Sequence, residues 1–549
     1  MFPSAGHDDT HLTCWSAYTL SRFGQILNYN GERIEQSSSL LQVLMLAAFG
    51  KLTSVDMLTL AKLSSIVFGA ASVLLLFTLV TRVATSAAGF CAAMIAATST
   101  PIMYWSFGGM ETTLVSFTGL CLVLTSADYI AGRPRGTLWK AVLSLSAFAL
   151  VRPETPLLLA CFLISAFAVV SLKGTAAVQH PIIRNTTRQR AMMLVLMGAL
   201  VCGTLFVFRL TYFGAPFPQP VTAKFSGVSV QNIVTGLHYV KQNAWNDGPA
   251  TAIVSSLIAV SVLVMAVGQL RAPTLNLHVV LSLLFAVGYL CSAIVSTGDW
   301  MKGGRFLAHF LPVAIGLVPL ALSARTRRTL LPLVTAIVVG LQATTAIAFA
   351  RDSSTSLPLW SHIAATADHA ELQYSWFETH NRINQRDMPL IENLDDVVRQ
   401  TIDSKPGPVV VMSGQMGMAT YHIALRHFGL VRFVDRHGLA DRALTDCPIA
   451  RNVRRDTGGL ILSFDWYMEN LTELEQSCGL VRPDILFDIR SNDVEGYGYP
   501  TVYSQSGEVA ALGTSLTGLT VRADAFVAVE ASLAETLATQ SPRLFRFGQ

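Results

Sequence analysis

Charge is scarce in this sequence. Asp, Glu, Lys and Arg make up 13% of its 549 residues, about half the share of an ordinary soluble protein. Hydrophobic residues supply 52% and the mean hydropathy is +0.47. A chain this apolar is a polytopic membrane protein. No glycine-rich phosphate loop is present, and an enzyme working on the outer face cannot reach cytoplasmic nucleotide sugars, so its donor would have to arrive in the lipid. No CxxC pattern offers a cysteine metal site. Repeats and low-complexity tracts are also missing. The net charge of +4 gives no case for a nucleic-acid partner; what matters is where Lys and Arg fall relative to the spans.

A span needs about 20 residues. Leu40 to Phe49 is apolar but too short, and reads as an interfacial or re-entrant helix. Apolar runs then recur at 58–81, 86–104, 111–130, 137–151, 155–171, 191–212, 249–270, 277–297, 305–323 and 329–350, which predicts about ten spans. Arg82, then Arg133, Arg135 and Lys140, then Lys173, Arg184, Arg188 and Arg190, then Arg271, then Arg325, Arg327 and Arg328 fall in alternate loops. Those loops are therefore expected to be cytoplasmic, and residues 1–57 to lie outside. Arg22, Arg33, Lys51 and Lys62 oppose that placement. The conflict predicts a further N-terminal helix ahead of Met1, and an in-frame stop just upstream would argue against it.

Beyond Arg351 charged residues, Gly and Pro return. Pro408 to Met412 and Asp484 to Phe487 look like buried strands, and Leu394 to Ile402 looks helical. Residues 351–549 are thus expected to form an extracytoplasmic domain with an α/β or α+β fold, following a mainly helical membrane domain at 1–350. Cys447 and Cys478 both lie there, in a compartment that permits a disulfide. The remaining cysteines that fall in apolar runs read as small apolar residues.

Polar residues cluster at the outer ends of the runs. His7-Asp8-Asp9-Thr10-His11 opens the chain, followed by Asn28-Tyr29-Asn30-Gly31-Glu32-Arg33-Ile34-Glu35. Further along come Gly108-Gly109-Met110-Glu111-Thr112, Arg152-Pro153-Glu154, the stiff loop Phe213 to Pro220 leading to Lys224, and Gly298-Asp299-Trp300-Met301-Lys302-Gly303-Gly304-Arg305-Phe306. Each alone has an ordinary structural explanation: an acid in a first helical turn, a local ion pair, an interfacial anchor. Their convergence on one membrane face points to a site, because charge at membrane depth is otherwise rare.

In this order the motifs resemble the pattern of the GT-C superfamily, integral-membrane glycosyltransferases that use polyprenyl-phosphate sugars. The likeness is to the bacterial envelope branch that carries a C-terminal extracytoplasmic domain and includes arabinofuranosyltransferases. It covers residues 7–350 as a series of short motifs. The sequence departs from the pattern at Cys14-Trp15, where an aromatic-Arg pair is usual, and at Gln36, where Gly is more usual. The resemblance implies a multi-pass protein of the bacterial inner membrane whose C-terminal domain is periplasmic.

It also implies the chemistry. An acid of the first outer loop acts as general base on the acceptor hydroxyl; Asp8 or Asp9 fits, with Asp9 favoured because Asp8 suits the helix cap. Arg152, Lys224 and Arg305 are expected to hold the donor phosphate, and Glu32, Glu35, Glu111, Glu154 and Asp299 to complete the substrate site. The acceptor could be an envelope glycan, a glycolipid or a protein. His7 and His11, four residues apart, could instead hold a divalent metal with Asp9. Two other classes compete: a transporter or flippase of lipid-linked sugars, and a non-catalytic envelope scaffold. A transporter tends to carry charge near the midplane, whereas these spans read as nearly charge-free. In the outer domain, Gly414, Tyr421, Arg426, Asp435, Arg436, His437 and Asp441 follow a strand and are expected to guide the acceptor.

Overall fold

The structure, a computed structural model, describes residues 7–134, 136–173, 181–224, 229–245, 249–272, 275–298, 303–350, 388–413, 416–451, 464–487, 501–504 and 526–529. The chain opens with α1 (Asp8–Phe23), closed by Gly24 at φ 70°, and α2 (Leu40–Thr53), whose cap Ser39 accepts the Gln42 N–H. The helices α3 (Met57–Val83), α4 (Ser86–Ala97), α5 (Thr100–Phe107), α6 (Thr112–Ile130), α7 (Leu138–Val151) and α8 (Thr155–Lys173) follow. Then come α9 (Pro181–Phe213), α10 (Gln219–Lys224), α11 (Val230–Trp245), α12 (Pro249–Arg271), α13 (Leu277–Val295), α14 (Arg305–Ala308), α15 (Leu311–Ala321) and α16 (Ala324–Ala350). Side chains from α3, α4, α6, α7, α8, α9, α13 and α15 share one apolar core.

The protein is a multi-pass membrane protein, but it has fewer full-length spans than its apolar runs suggest. Among the described residues six helices, α3, α6, α8, α9, α12 and α13, are long and apolar enough to cross a membrane. The run at 86–104 breaks into α4 and α5, bent by 60°, and makes a seventh span if counted as one. Thr98 and Ser99 interrupt it, and Pro101 then opens a new helix, where its missing N–H costs nothing. The run at 137–151 yields only the 14-residue α7. That at 305–323 breaks at His309-Phe310, ahead of Pro312, to leave the 11-residue α15. The last run lies on α16, which starts with Arg325, Arg327 and Arg328 and contains Pro332.

The C-terminal elements are α17 (Met388–Ser404), β1 (Val409–Ser413), α18 (Met418–His427), β2 (Val431–Asp435), α19 (Ala443–Asp446), α20 (Phe464–Glu469), α21 (Leu471–Cys478), β3 (Ile485–Phe487), β4 (Thr501–Ser504) and β5 (Phe526–Val529). The strands form one sheet in the order β2-β1-β3-β5-β4, with β1 parallel to β2 and β3, and β5 antiparallel to its neighbours. Every β1 residue is buried, as its unbroken apolar run requires. Successive side chains point to opposite faces. Val410, Met412, Val434 and Leu486 pack on one side with α20, α21 and the Cys447–Cys478 disulfide. Val409, Val411, Phe433 and Ile485 belong to a core that also contains Trp15, Tyr29, Leu40 and Leu46. The sheet and the N-terminal segment thus share apolar packing.

Candidate active site

The first turn of α1 sits against the C-terminal end of α5. His7 stacks on Trp105 with ring centroids 5.2 Å apart, its Nε2 lies 3.1 Å from the Tyr104 hydroxyl, and Thr10 Oγ1 donates to the Gly108 carbonyl at 2.9 Å. These contacts fix the orientation of the helix that carries the two acids.

Asp8 does not cap its own helix. His7 occupies the cap position, and the Asp8 Oδ1 accepts the Met418 N–H at 2.7 Å, at the start of α18. The charge lies where the positive end of a helix dipole favours it. A glycine must precede Met418, because a Cβ at Gly417 would collide with the Asp8 carboxyl. Asp9, one residue on and about 100° around the helix, faces the other way. Its carboxylate keeps 21% exposure and lies 3.6 Å from the buried guanidinium of Arg305.

Arg305 begins α14 after two glycines in left-handed conformation, Gly303 at φ 91° and Gly304 at φ 56°, and the Gly303 carbonyl accepts the Trp105 Nε1–H at 2.8 Å. Phe306 places its ring between two cations: Arg305 lies 5.6 Å and Arg152 5.1 Å from its centroid. Arg152 pairs with Glu111 and, at 2.5 Å, with Glu154; Ser38 donates to Glu111 at 3.2 Å. Burial opposes the Arg152 charge, yet Glu154 and Glu111 hold its pKa above the usual range. The result is a half-buried acid, Asp9, beside an array of two arginines and two glutamates.

Of the expected site residues, Asp9, Glu111, Arg152, Glu154 and Arg305 are therefore brought together. Glu35 is used differently. Both its oxygens take the Arg209 guanidinium, at 2.8 and 2.9 Å, and its carbonyl accepts the Gln219 N–H. Burial pushes its pKa up, while Arg209 opposes that shift. Glu32 accepts from Asn28 at 2.9 Å within the turn at 28–32. Lys224 ends α10 exposed and forms no ion pair among the described residues. Asp299 lies outside the described residues, as does Gly414.

The metal expectation finds no donor set. His7 is engaged with Tyr104, and His11 Nδ1 lies 3.1 and 3.2 Å from the carbonyls of His7 and Asp8, so that nitrogen carries the proton. Burial lowers the His7 pKa to about 4; burial and, next, His422 lower that of His11 to about 3. Among the described residues no group of three or more His, Cys, Asp or Glu converges.

No family model and no curated protein sequence matches the chain. A crystal structure of ArnT from Cupriavidus metallidurans in the apo state does, with a TM-score of 0.50 at 11% identity, over 96% of this chain and 94% of that one. The chain has the GT-C fold. Two further structures are similar. One is the same ArnT bound to undecaprenyl phosphate, with a TM-score of 0.47, 12% identity and the same coverage. The other is the Archaeoglobus fulgidus oligosaccharyltransferase in complex with Zn and sulfate, with a TM-score of 0.48 and 14% identity over 88% of this chain. The chain spans 64% of that archaeal protein's length.

Within this GT-C fold several residues have partners that the sequence did not reveal. Arg209 sits in an apolar run with no local signal except its charge. Asn30 turns out to pair with the backbone of Phe433 in both directions, at 2.8 and 2.9 Å, and Gln219 Nε2 donates to Gly438, Asp441 and Thr445. The spans are also less charge-free than expected. Asp128, at the far end of α6 from Glu111 and about 25 Å away, pairs with Arg82, with His278 at 3.1 Å and with Arg133 at 3.7 Å. That cluster ties α3, α6 and α13 together on the face opposite the site.

An apolar cavity of about 170 Å³ lies between α7, α8 and α13, lined by Phe148, Leu158, Phe162, Leu284, Phe285 and Tyr289, and it reaches the exposed Cys161 and Val287. Tyr289 links it to the charged array, since its ring packs on His309 at 5.6 Å and His309 packs on Phe306 at 5.7 Å.

Proposed function

We propose that the protein transfers a sugar from a polyprenyl-phosphate donor to an acceptor hydroxyl at the outer membrane face. One observation carries the reading: Tyr289, which lines the apolar cavity between α8 and α13, packs on His309, and His309 on the Phe306 that holds Arg152 and Arg305, with Asp9 beside Arg305. Such an arrangement suits a molecule with an apolar tail, an anionic head and a reacting carbon next to the head. The cavity takes the tail; the arginines donate hydrogen bonds to the phosphate oxygens.

The chemistry follows from these positions. The acceptor hydroxyl attacks the anomeric carbon, Asp9 takes the hydroxyl proton, and the bond from that carbon to the phosphate oxygen breaks. The lipid phosphate leaves with an added negative charge, which Arg152 and Arg305 neutralise. Glu111 and Glu154 hold Arg152 in place. Positioned proton transfer of this kind contributes about 10²–10⁴-fold, and stabilisation of the departing charge adds to it.

The resemblance in the motifs and the GT-C fold both support this class. Residues 351–549 are read as the acceptor-guiding domain, in a protein of the bacterial inner membrane whose outer domain is periplasmic. Envelope glycan, glycolipid and protein acceptors all fit the reading. A transporter, a flippase or a scaffold would have no reason to lose its function when Asp8 and Asp9 both become Asn. Membranes containing the protein, supplied with a panel of polyprenyl-phosphate sugars, are expected to show transfer with at least one, and Asp9→Asn to reduce it at least 100-fold. Transfer by purified protein from a soluble nucleotide sugar, without lipid, would falsify the proposal.

A further inference from the structure

Two polar groups near the arginine array have no hydrogen-bond partner among the described residues. They are the Tyr289 hydroxyl and the His309 ring, whose two nitrogens are both orphaned. Both side chains are fully or almost fully buried, with 2% exposure for Tyr289 and none for His309. Leaving a buried donor unpaired is costly, and native proteins rarely tolerate it without a reason. Here two such groups are neighbours, packed ring edge to ring face at 5.6 Å.

Their place suggests the reason. Tyr289 lines the apolar cavity, His309 packs on Phe306, and Phe306 carries Arg152 and Arg305 on its ring. The two orphans therefore stand where the cavity meets the cations. A hydroxyl and an imidazole each bring an N–H or O–H donor, which a phosphate oxygen can accept.

We propose that Tyr289 and His309 donate hydrogen bonds to the phosphate of the lipid donor, completing with Arg152 and Arg305 the site for its head group. The inference rests on the reading that the donor is a polyprenyl phosphate. It explains why a tyrosine and a histidine occupy positions where phenylalanine and leucine would pack as well. The arginines supply charge; the two neutral donors supply direction, and distinguish a phosphate ester from a smaller anion that the arginines alone could hold.

The test compares undecaprenyl phosphate with undecaprenol, its uncharged counterpart of equal tail length, as probes of binding to the full chain in nanodiscs. Tyr289→Phe removes one oxygen and should leave the fold intact. It is expected to weaken undecaprenyl phosphate binding on the order of tenfold, to leave undecaprenol binding unchanged, and to leave ligand-free thermal stability equal or higher, because an unsatisfied hydroxyl is gone. His309→Leu is expected to act in the same direction. Equal loss for both lipids, or no loss for either, would overturn the assignment while leaving the donor class standing. Wild-type protein that binds undecaprenyl phosphate no better than undecaprenol would instead overturn the donor class itself.

Discussion

Asp8 and Asp9 are adjacent, chemically identical and turned about 100° apart on α1, and the chain uses that angle to give them separate tasks. Asp8 accepts the Met418 N–H, whereas Asp9 looks toward Arg305. Asp8→Asn is therefore expected to cost about 0.5–2 kcal/mol of stability while transfer largely persists; Asp9→Asn should keep stability and lose the rate. Thermal unfolding and transfer, measured on each variant, check the division. Should Asp9→Asn transfer at the wild-type rate, Glu111 becomes the next acid to test, since Glu35 is held on both oxygens by Arg209. Asp441 supplies a pH dependence. Burial first, then Glu32 and Asp435, push its pKa up to about 7, against the Ala443 N–H and Arg432. The folded protein then binds a proton that the unfolded chain has released above pH ~4, so stability falls as pH rises from about 4 to about 7. Asp441→Asn is expected to flatten that part of an unfolding-temperature profile measured against pH.

Between elements, the turn at 28–32 carries much of the docking. Asn30 offers β2 both a donor and an acceptor, as a neighbouring strand would, and Asn28 donates to the Ala440 carbonyl at 3.0 Å. Asn30→Ala leaves two backbone groups of Phe433 unpaired, at a cost of about 1–3 kcal/mol each where burial is complete. Limited proteolysis should then cut the C-terminal part sooner, with the sheet itself intact. At this scale the sequence was readable where one period dominates. The apolar run at 408–412 became β1, the run at 484–487 became β3, and residues 394–402 lie inside α17. Hydropathy failed where a break is written in one or two residues, as at Thr98-Ser99 and His309-Phe310, since a sliding average sees apolar neighbours on both sides. The site shows the same limit. Charged motifs at the ends of runs were visible, because charge is conspicuous at a membrane edge. Tyr289, His309 and Arg209 lie inside apolar runs, and only their tertiary neighbours reveal them. The usual aromatic-Arg and Gly positions also gained a meaning: Trp15 is buried against Tyr29 and Phe428, and Gln36 Nε2 donates to the Leu12 carbonyl at 3.1 Å.

Over the whole molecule, the expected division at residue 350 cuts across a shared core. Trp15, Tyr29 and Leu40 lie in one cluster with Val397, Val409, Phe433 and Ile485. A chain truncated at Arg351 would expose those aromatics and strip Asp8 of Met418. It is thus expected to lose undecaprenyl phosphate affinity as well as transfer, by contrast with a pair of independent domains, where binding would survive. Binding to the truncated protein in nanodiscs, with its helicity checked by circular dichroism, measures the difference. The link between Asp8 and Met418 also spans 410 positions of chain. At a synthesis rate of about 5–20 residues per second, the partner of Asp8 leaves the ribosome roughly 20–80 seconds after Asp8 itself. During that interval the membrane helices can insert and pack through contacts closer in sequence, while the first segment waits without its docking surface. Asp9 is carried by α1, and one fastening of α1, the bond between Asp8 and Met418, forms only after Met418 has been made. Synthesis would then act as a safety catch: under the proposed function, a chain that ends before Met418 is expected to transfer no sugar from a lipid-linked donor.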